Sequence, residues 1–431
     1  MRSKSDKKKS LVPRLRFPEF REAGAWEEKK IEDYFSVRSS KRVLQKDWKT
    51  HGVPFYRTRE LVSLYNNEPF SSEIFISEEL FSEIAKKYGF PSEGDFLVSG
   101  VGTLGICYQV KAKDKFYFKD GNVLWYKQNG GIVSSFFYYC FHSDQIQNQI
   151  LGQASISTVG TYTIQNAKVT KFLCPTVEKE QQKIAHCLSS LDEVMGLQAK
   201  KVQALKQHKK GLMQQLFPAE GETTPRLRFP EFREAGAWEV KELIKLAGRG
   251  TERNQKGKIK RVLTNSAEHG VLDQREYFDK DIAIQGNLEN YFVVDQGDFV
   301  YNPRISSFAP VGPISRNDVG KGVMSPLYTV FSFRQSDTDF FAHYFNSSAW
   351  HSYMRKVGST GARHDRMAIS NSDFLAMPLS VPNPKEQQKI AHCLSSLDEV
   401  IGLESHKLDA LKTHKKGLMQ QLFPSLDEVQ G

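Results

Sequence analysis

Apolar residues recur at alternating spacings of four and three in two long segments of the chain. In the first segment these positions are Ile184, Leu188, Leu191, Met195, Gln198, Val202, Leu205, Lys209, Leu212 and Leu216. In the second they are Ile390, Leu394, Leu397, Ile401, Glu404, Leu408, Leu411, Lys415, Leu418 and Leu422. The pattern predicts two long helices, each with an a/d seam. Prolines bound both segments, at Pro175 and Pro384 before them and at Pro218 and Pro424 after them.

A helix of about 36 residues, roughly 54 Å long, cannot bury such a seam alone. The matching seam of the other segment is the nearest partner, so we expect the two helices to pack together. Gln198 and Glu404 occupy equivalent polar places in the two seams. A polar seam residue fixes register at some cost in stability.

Two stretches of the chain occur twice without change. The sequence KEQQKIAHCLSSLDEV fills 179–194 and 385–400, and PRLRFPEFREAGAWE, called the box below, fills 13–27 and 225–239. Duplicated units tend to pack around a pseudo-two-fold axis. We therefore expect antiparallel helices with the variable segments at opposite ends of the rod. Identical surfaces predict one kind of partner bound twice, whereas dissimilar segments predict two different targets.

The variable segments, called block one and block two, are rich in aromatic and β-branched residues. Their runs are FYFKDGNVLWYK and SSFFYYCF in block one, and NYFVVDQGDFVYNP and SPLYTVFSF in block two. Gly, Asn and Asp separate these runs, which indicates short strands and turns with a few helices. The predicted fold class is α+β: two globular domains joined by two long antiparallel coiled-coil helices in a pseudo-two-fold internal repeat. The predicted divisions are 1–27 (tail and first box), 28–178 (block one), 179–217 (first long helix), 218–239 (linker and second box), 240–384 (block two), 385–424 (second long helix) and 425–431 (C-terminal tail).

Charge and cysteine content narrow the class of protein. The net charge of +10 and the pI near 9.1 favour a polyanionic partner. The five cysteines form neither a CxxC pair nor a Cys/His cluster with metal spacing, which predicts a reduced, intracellular setting and no metal site. No apolar run approaches the 20 or so residues that span a bilayer. The basic start, MRSKSDKKKS, lacks the apolar region of a secretory signal.

The sequence motifs that would indicate a cofactor site or catalysis are weak. Residues 100–105 (GVGTLG) match GxGxxG after a strand-like DFLVS, but the following ICYQVK is β-like. A dinucleotide site needs a helix there, so we predict a loop between strands. Asn302-Pro303-Arg304 and Ser325-Pro326-Leu327-Tyr328 each match only half of an amino-methyltransferase motif.

Two loops and two basic clusters are the candidates for nucleic-acid contact. Segments 155–162 (SISTVGTY) and 358–366 (GSTGARHDR) hold equivalent places upstream of the long helices. Hydroxyls and arginines bind phosphates, and arginine also reads guanine. A solvated surface is the alternative interpretation for each segment. The candidate DNA-binding residues are Arg38, Lys41, Arg42, Arg57, Arg59, Thr103, Ser157, Thr158, Thr161, Tyr162, Arg253, Lys258, Arg261, Arg304, Ser359, Thr360, Arg363, His364 and Arg366.

This layout resembles the specificity (S) subunit of type I restriction–modification systems over essentially the whole chain. The matching features are the AWE at the end of each box and the Pro…Glu-Gln-x-x-Ile start of each long helix. They lie at Pro175, Glu180, Gln181 and Ile184, and again at Pro382, Glu386, Gln387 and Ile390. GDFLVSGVGTLG and GDFVYNP are similar to mid-domain strands of that family's target recognition domains.

The resemblance implies a DNA-reading scaffold without catalysis or cofactor of its own, in the cytoplasm and away from membranes. Each target recognition domain would read one half of an asymmetric, bipartite site on double-stranded DNA, and the helices would set the spacer. Two modification subunits, which carry S-adenosylmethionine and methylate adenine, would dock on the box-plus-helix surfaces. Two restriction subunits, which use ATP and magnesium, would join through them.

Three other interpretations stay open from the sequence. The chain could serve a type IIB-like system, in which one partner chain carries both methylase and nuclease. It could be a stand-alone nuclease or methyltransferase. It could also be a structural adaptor that uses the rod to pair proteins.

Overall fold

The structure, a computed structural model, describes residues 11–66, 68–154, 160–219, 221–277, 288–360 and 365–424. Contacts divide the chain into two compact units. The first unit is 1–198 with 407–431, and the second is 199–406. Because both long helices cross these boundaries, each unit contains a part of each helix.

The first unit holds block one. Its strands are β1 (Glu27–Lys30), β2 (Phe35–Arg38), β3 (Val53–Tyr56), β4 (Phe75–Ile76), β5 (Phe96–Ser99), β6 (Cys107–Gln109), β7 (Tyr117–Phe118), β8 (Val123–Gln128) and β9 (Lys171–Cys174). Its helices are α1 (Thr58–Asn66), α2 (Glu78–Tyr88), α3 (Ser134–Phe141), α4 (Asp144–Ala154), α5 (Ile164–Val169) and the first part of α6 (Glu178–Leu216). Single 3-10 turns lie at Pro18–Phe20, Ile31–Asp33 and Gln45–Asp47.

The second unit holds block two. Its strands are β10 (Glu239–Glu242), β11 (Ala247–Gly250), β12 (Leu263–Ser266), β13 (Gly270–Asp273), β14 (Phe292–Val294), β15 (Phe299–Tyr301), β16 (Ile314–Arg316), β17 (Gly322–Met324), β18 (Thr329–Phe333), β19 (Ser359–Thr360), β20 (Met367–Ala368) and β21 (Pro378–Val381). Its helices are α7 (Leu243–Leu246), α8 (Gln274–Tyr277), α9 (Asp339–Phe345), α10 (His351–Val357), α11 (Asn371–Leu375) and the first part of α12 (Pro384–Leu422). Its 3-10 turns lie at Pro230–Phe232, Gln255–Gly257 and Leu288–Asn290.

The two units share a framework of strands, although the sequences of block one and block two do not resemble each other. Each contains a four-stranded antiparallel sheet, in the order β2-β8-β5-β6 in the first and β11-β18-β15-β16 in the second. Each also has a two-stranded antiparallel pair, β1 with β9 and β10 with β21. The central strands β5 and β15 begin alike: Asp95 accepts a bond from the Ser92 amide (3.0 Å), and Asp298 accepts one from the Asp295 amide (2.7 Å). The repeat therefore extends into the blocks.

The units differ in what is inserted into this framework. Block one adds the sheet β4-β3-β7, in which β3 pairs antiparallel with β4 and parallel with β7, together with α1 and α2. Block two instead adds the antiparallel pairs β12–β13, β14–β17 and β19–β20. The insertions of block one enclose a small apolar cluster, and those of block two form one together with Val300 of β15 and Val330 of β18. Block one and block two therefore differ in structure as well as in sequence.

The run SSFFYYCF is the helix α3, so the expectation of strands is wrong for this segment. Five of its eight residues are buried, at Phe136, Phe137, Tyr139, Cys140 and Phe141. A helix enclosed on most sides carries a nearly continuous apolar run, which periodicity cannot distinguish from a buried strand. Packing of the aromatic rings then overrides β propensity. The run DFFAHYF forms the counterpart helix α9 in the second unit.

The long helices α6 and α12 are 39 residues each, and every seam position is buried or half-buried. In the second unit, Lys209 of α6 pairs with Asp398 of α12, and Lys201 pairs with Glu404, each at 2.5 Å. Residue numbers rise along one helix as they fall along the other, so the helices are antiparallel, as predicted. In the first unit the start of α6 packs with the end of α12, where Lys415 pairs with Asp192 at 2.5 Å.

A buried carboxylate joins each box to the start of the long helix of its own repeat. The guanidinium of Arg16 donates two bonds to Glu180, at 2.8 and 2.7 Å, and the indole Nε1 of Trp26 donates a third at 3.2 Å. The second unit repeats this group, called the carboxylate clamp below, with the residues Arg228, Trp238 and Glu386. The two glutamates are 1% and 0% exposed. Their burial requires a paired cation, because an unpaired charge is costly in the interior.

The box in each clamp also contacts the end of the long helix from the other repeat. The amide of Leu15 donates to the carbonyl of Gln421 (3.0 Å), and the ring of Phe423 packs edge-on against Trp26. In the second unit the amide of Leu227 donates to Gln215 (2.9 Å), and Phe217 packs against Trp238. These helix ends share the sequence HKKGLMQQLFP, at 208–218 and 414–424. Each unit is thus built from both repeats.

We predict that breaking the clamp is strongly destabilising, because it leaves a buried charge unpaired. The substitution Arg16→Met keeps much of the aliphatic stem but leaves Glu180 as a buried charge without its cation, so it should lower the free energy of unfolding by about 3–5 kcal/mol. Lys183→Ala is the matched control, because its ion pair with Glu19 is about half exposed and should contribute less than about 1 kcal/mol. Urea unfolding of the whole chain measures both. Equal midpoints for the two variants would contradict this role.

Candidate nucleic-acid interface

Three candidate cations of the first unit lie at the end of β2 and in the segment after it. The guanidinium of Arg38 lies 5.9 Å from the ring centre of Trp125, and the ammonium of Lys41 lies 5.5 Å from that of Tyr88. Arg42 pairs with Asp120 at 2.7 Å, although 73% of its side chain is exposed. Aromatic faces and a single carboxylate therefore orient these cations while leaving all three exposed.

Arg57 and Arg59 surround a buried carboxylate. Both donate to Glu60, which is 2% exposed, and Arg57 is held by three bonds of 2.5 to 3.0 Å. Burial by itself raises the pKa of Glu60, but the hydrogen bonds from the two arginines outweigh it and lower that pKa. The side chain of Arg57 is only 18% exposed, and its charge is paired with that of Glu60. The side chain of Arg59 is 50% exposed.

The GxGxxG segment forms the loop of the antiparallel hairpin between β5 and β6, which confirms the prediction of a loop between strands. Thr103 lies exposed in this loop, beside Gly102, whose φ is +81°. Thr161 forms an isolated antiparallel bridge with Val101. The structure therefore brings the hairpin loop and the end of the predicted SISTVGTY loop together. Ser157 and Thr158 of that loop lie outside the described residues.

Tyr162 needs a correction, because its side chain lies in the core of the first unit. It is 1% exposed, and its hydroxyl bonds to Tyr126 (3.2 Å) and to Thr170 (2.8 Å). Burial raises its pKa to about 12. A duplex cannot reach this ring in the observed conformation, so Tyr162 supports the loop rather than contacting DNA.

The basic cluster near the start of block two is divided between exposed and engaged side chains. Arg253 is exposed, and its guanidinium lies 4.0 Å from the ring centre of Phe292. Lys258 is exposed. Arg261 is half-buried, and it pairs with Asp273 at 2.9 Å. Arg253 and Lys258 are therefore the more accessible candidates.

Candidates that are distant in sequence meet on one face of the second unit. Arg304 and Arg366 form an antiparallel bridge, flanked by bonds from the Ile305 amide to Asp365 and from the Met367 amide to Pro303, both 2.8 Å. Ser359 and Thr360 of β19 pair with β20. Strand β20 begins at Met367, directly after Arg366. The side chain of Arg304 is 69% exposed and that of Arg366 is half-buried. Arg363 and His364 lie outside the described residues.

Sequence reasoning missed one residue on this face. The loop between β15 and β16 covers 302–313, twelve residues, against seven for 100–106 in the first unit. It contains Phe308, which is 73% exposed. The available signal was a single aromatic residue within a stretch of Ser, Ala, Pro and Gly.

Within the described ranges, no group of three or more His, Cys, Asp or Glu residues is placed to hold a metal ion. The five cysteines are free thiols. Among the same residues, no helix combines the length and the apolar character that a membrane crossing requires.

Comparison with known proteins gives a consistent result. Residues 24–207 and 246–413 match the family described as Type I restriction modification DNA specificity domain. A type I restriction enzyme specificity subunit of Haemophilus influenzae is 30% identical over 161 residues, which cover 37% of this chain and 38% of that relative. The MjaX specificity subunit of Methanocaldococcus jannaschii is 22% identical over 92% of both chains.

Solved structures show the same fold. The crystal structure of the S subunit of a type I restriction–modification system from M. genitalium matches with a TM-score of 0.54 at 13% identity, covering 96% of this chain and all of that one. A chain from a study of complex assembly and conformational transition of the type I system also has a TM-score of 0.54, at 14% identity, with 92% and 97% covered. The family match covers most of the sequence and falls once on each repeat. The chain therefore belongs to the family of type I restriction–modification DNA specificity subunits.

Proposed function

We propose that this chain reads two different halves of one asymmetric DNA site, one with each target recognition domain. The observation that carries the proposal is the combination of an identical clamp and a shared sheet with unlike insertions in the two units. Equal frameworks can hold two readers in equivalent settings, whereas unlike loops present different side chains to the bases. The relatives and the family are of type I, and they do not favour the type IIB-like arrangement.

The candidate contacts differ in position between the two domains. The first offers Arg38, Lys41 and Arg42 at and after the end of β2. The second offers Arg253 and Lys258 near the start of its block and, in addition, Arg304 and Arg366, which are joined by a backbone bridge. Lysine and arginine contacts to phosphate supply affinity that falls with salt, and each good bidentate base contact adds about 1–3 kcal/mol of discrimination. Different positions of the cations therefore support different half-sites.

The two long helices would set the spacer between the half-sites. Their antiparallel pairing in each unit supports this role, because ion pairs such as Lys209–Asp398 and Lys415–Asp192 fix the register. A helix of fixed length then acts as a ruler at 1.5 Å per residue.

Chemistry would come from other subunits. Two modification subunits, each with S-adenosylmethionine, would methylate adenine after it leaves the base stack, and two restriction subunits would use ATP and magnesium. Their docking places would be the identical parts of the repeats together with the helical turn that directly follows each identical stretch. Exposed apolar residues support this, since Val194 and Leu197 are 49% and 61% exposed, and their equivalents Val400 and Leu403 are 41% and 64% exposed.

Exchanging block one, residues 28–178, for that of another member of the family should change one half-site and leave the other unchanged. The physical reason is that the two blocks pack in separate cores, each shared with one box and with both long helices, while the clamp outside the block is kept. Single-molecule sequencing of methylated genomic DNA measures both half-sites. Exchange of 240–384 is the matched control and should alter the opposite half. A change in both halves from one exchange would refute independent readers.

Lengthening both long helices should lengthen the spacer. Seven residues inserted after Gln198 in α6 and after His406 in α12 nearly preserve the helix face. They add about 10 Å, or about three base-pair steps of 3.4 Å. Mapped methylation sites should keep both half-sites and gain about three base pairs between them. An unchanged gap in an assembled complex would show that the helices do not determine it.

Replacing the exposed leucines should remove modification subunits one at a time. Leu197→Glu should leave one fewer modification subunit in the complex, and Leu197→Glu with Leu403→Glu should lose both, because a charge in an apolar contact is costly. Native mass spectrometry of the co-expressed subunits gives the composition. Leu151→Ala, at a residue 58% exposed outside the duplication, is the control. Full assembly of the double variant would place the docking surface elsewhere.

A further inference from the structure

Phe308 is presented to solvent at the tip of the loop between β15 and β16. With 73% exposure, it is the most exposed large apolar residue of the described chain. Single exposed apolar residues are common on protein surfaces. Phe308 differs from them in how rigidly it is held and in which charges surround it.

The turn that carries Phe308 is closed on itself. The amide of Ser306 donates to the carbonyl of Ala309 (3.0 Å), and the amide of Ala309 donates back to Ser306 (3.2 Å). The loop folds back at Gly312, whose φ is +80°; a Cβ there would lie 2.2 Å from the carbonyl oxygen of Asn302. The phenyl ring therefore stands on a braced tip, so that little backbone order has to be gained on binding.

Cations flank the base of this tip. Arg304 lies in the loop itself, three residues after the end of β15, and Arg366 is its bridge partner on the adjoining segment. The nearby carboxylate of Asp365 is 4.0 Å from the Arg304 guanidinium and leaves that side chain 69% exposed. An apolar tip between two cations suits a ligand with an apolar interior and anionic edges.

We propose that Phe308 is an aromatic wedge that enters the base stack of the half-site read by the second recognition domain, with Arg304 and Arg366 on the flanking phosphates. The proposal rests on the proposed function and adds a mode of readout to it. Apolar side chains that insert between base steps partly unstack and kink the duplex. The cost of that deformation depends on the step that is deformed, so the wedge reads sequence without bonding to a base edge.

The corresponding hairpin loop of the first unit, residues 100–106, is shorter and holds no aromatic residue. The proposed wedge is therefore specific to the loop between β15 and β16. The distortion of the DNA is therefore confined to one half-site.

The test uses the complete chain co-purified with its modification subunits. The probe is a duplex that carries the mapped methylation site, with 2-aminopurine placed in one half-site or in the other, and neither at nor beside the adenine that leaves the stack for methylation. Exchange of the blocks, as above, identifies which half-site belongs to the second domain. In the wild-type complex, 2-aminopurine fluorescence should rise several-fold in that half-site only.

Phe308→Ala should abolish this rise and weaken binding between about five-fold and about 150-fold, the range that corresponds to loss of one base–aromatic stack. Phe308→Trp should restore both. Leu151→Ala, an exposed apolar residue of the first unit, should change neither. Equal thermal midpoints for these variants show that each is folded.

The outcomes separate the two proposals. A wild-type complex that does not prefer the mapped duplex to a scrambled one overturns the proposed function. A complex that prefers it, but whose fluorescence and affinity are the same with Phe308→Ala, overturns the wedge alone. If Phe308→Ala instead releases a subunit while the fluorescence rise persists, the ring contacts protein and the wedge is likewise overturned.

Discussion

The buried carboxylate of the clamp is the interaction on which both units depend. Glu180 and Glu386 lie in the interior, each held by the arginine and tryptophan of a box. The same box binds the end of the other long helix, so one pair of charges fixes three segments that are far apart in the sequence. Apolar residues in place of the ion pair would pack as well. They would not select the observed arrangement of the box and the two helices as strictly as the ion pair does.

The framework explains how specificity can vary while the fold is kept. The four-stranded sheet and the clamp recur in both units, and the insertions hold small cores that do not share residues with the main ones. Changes in an insertion therefore leave the packing of the long helices unaffected. Sequence divergence in the blocks is tolerated because it is separated from the charges that orient the helices.

The sequence predicted the long helices from their period and the loop at residues 100–105 from its glycines. It predicted the antiparallel pairing from the duplication, because duplicated units tend to pack around a pseudo-two-fold axis. It did not predict the helix α3, since a run buried on most sides has no period. It also could not place Tyr162 in the core, because that depends on packing against Tyr126 of a distant strand. The pairing of Arg57 with Glu60 is a local contact three residues apart, which the choice of candidates by charge overlooked. Of the candidate residues chosen by composition, Arg304 lies exposed and stays a prediction, whereas Tyr162 is buried.

Each box receives the end of a helix that starts in the other repeat, and this has a consequence for half-length chains. In a single repeat made alone, the box would lack the helix end that packs against it. The end of the long helix would likewise lack a box to pack against. Two copies of that repeat satisfy both needs reciprocally, without any new contact. A gene of half the length could thus encode a chain that folds as a symmetric homodimer.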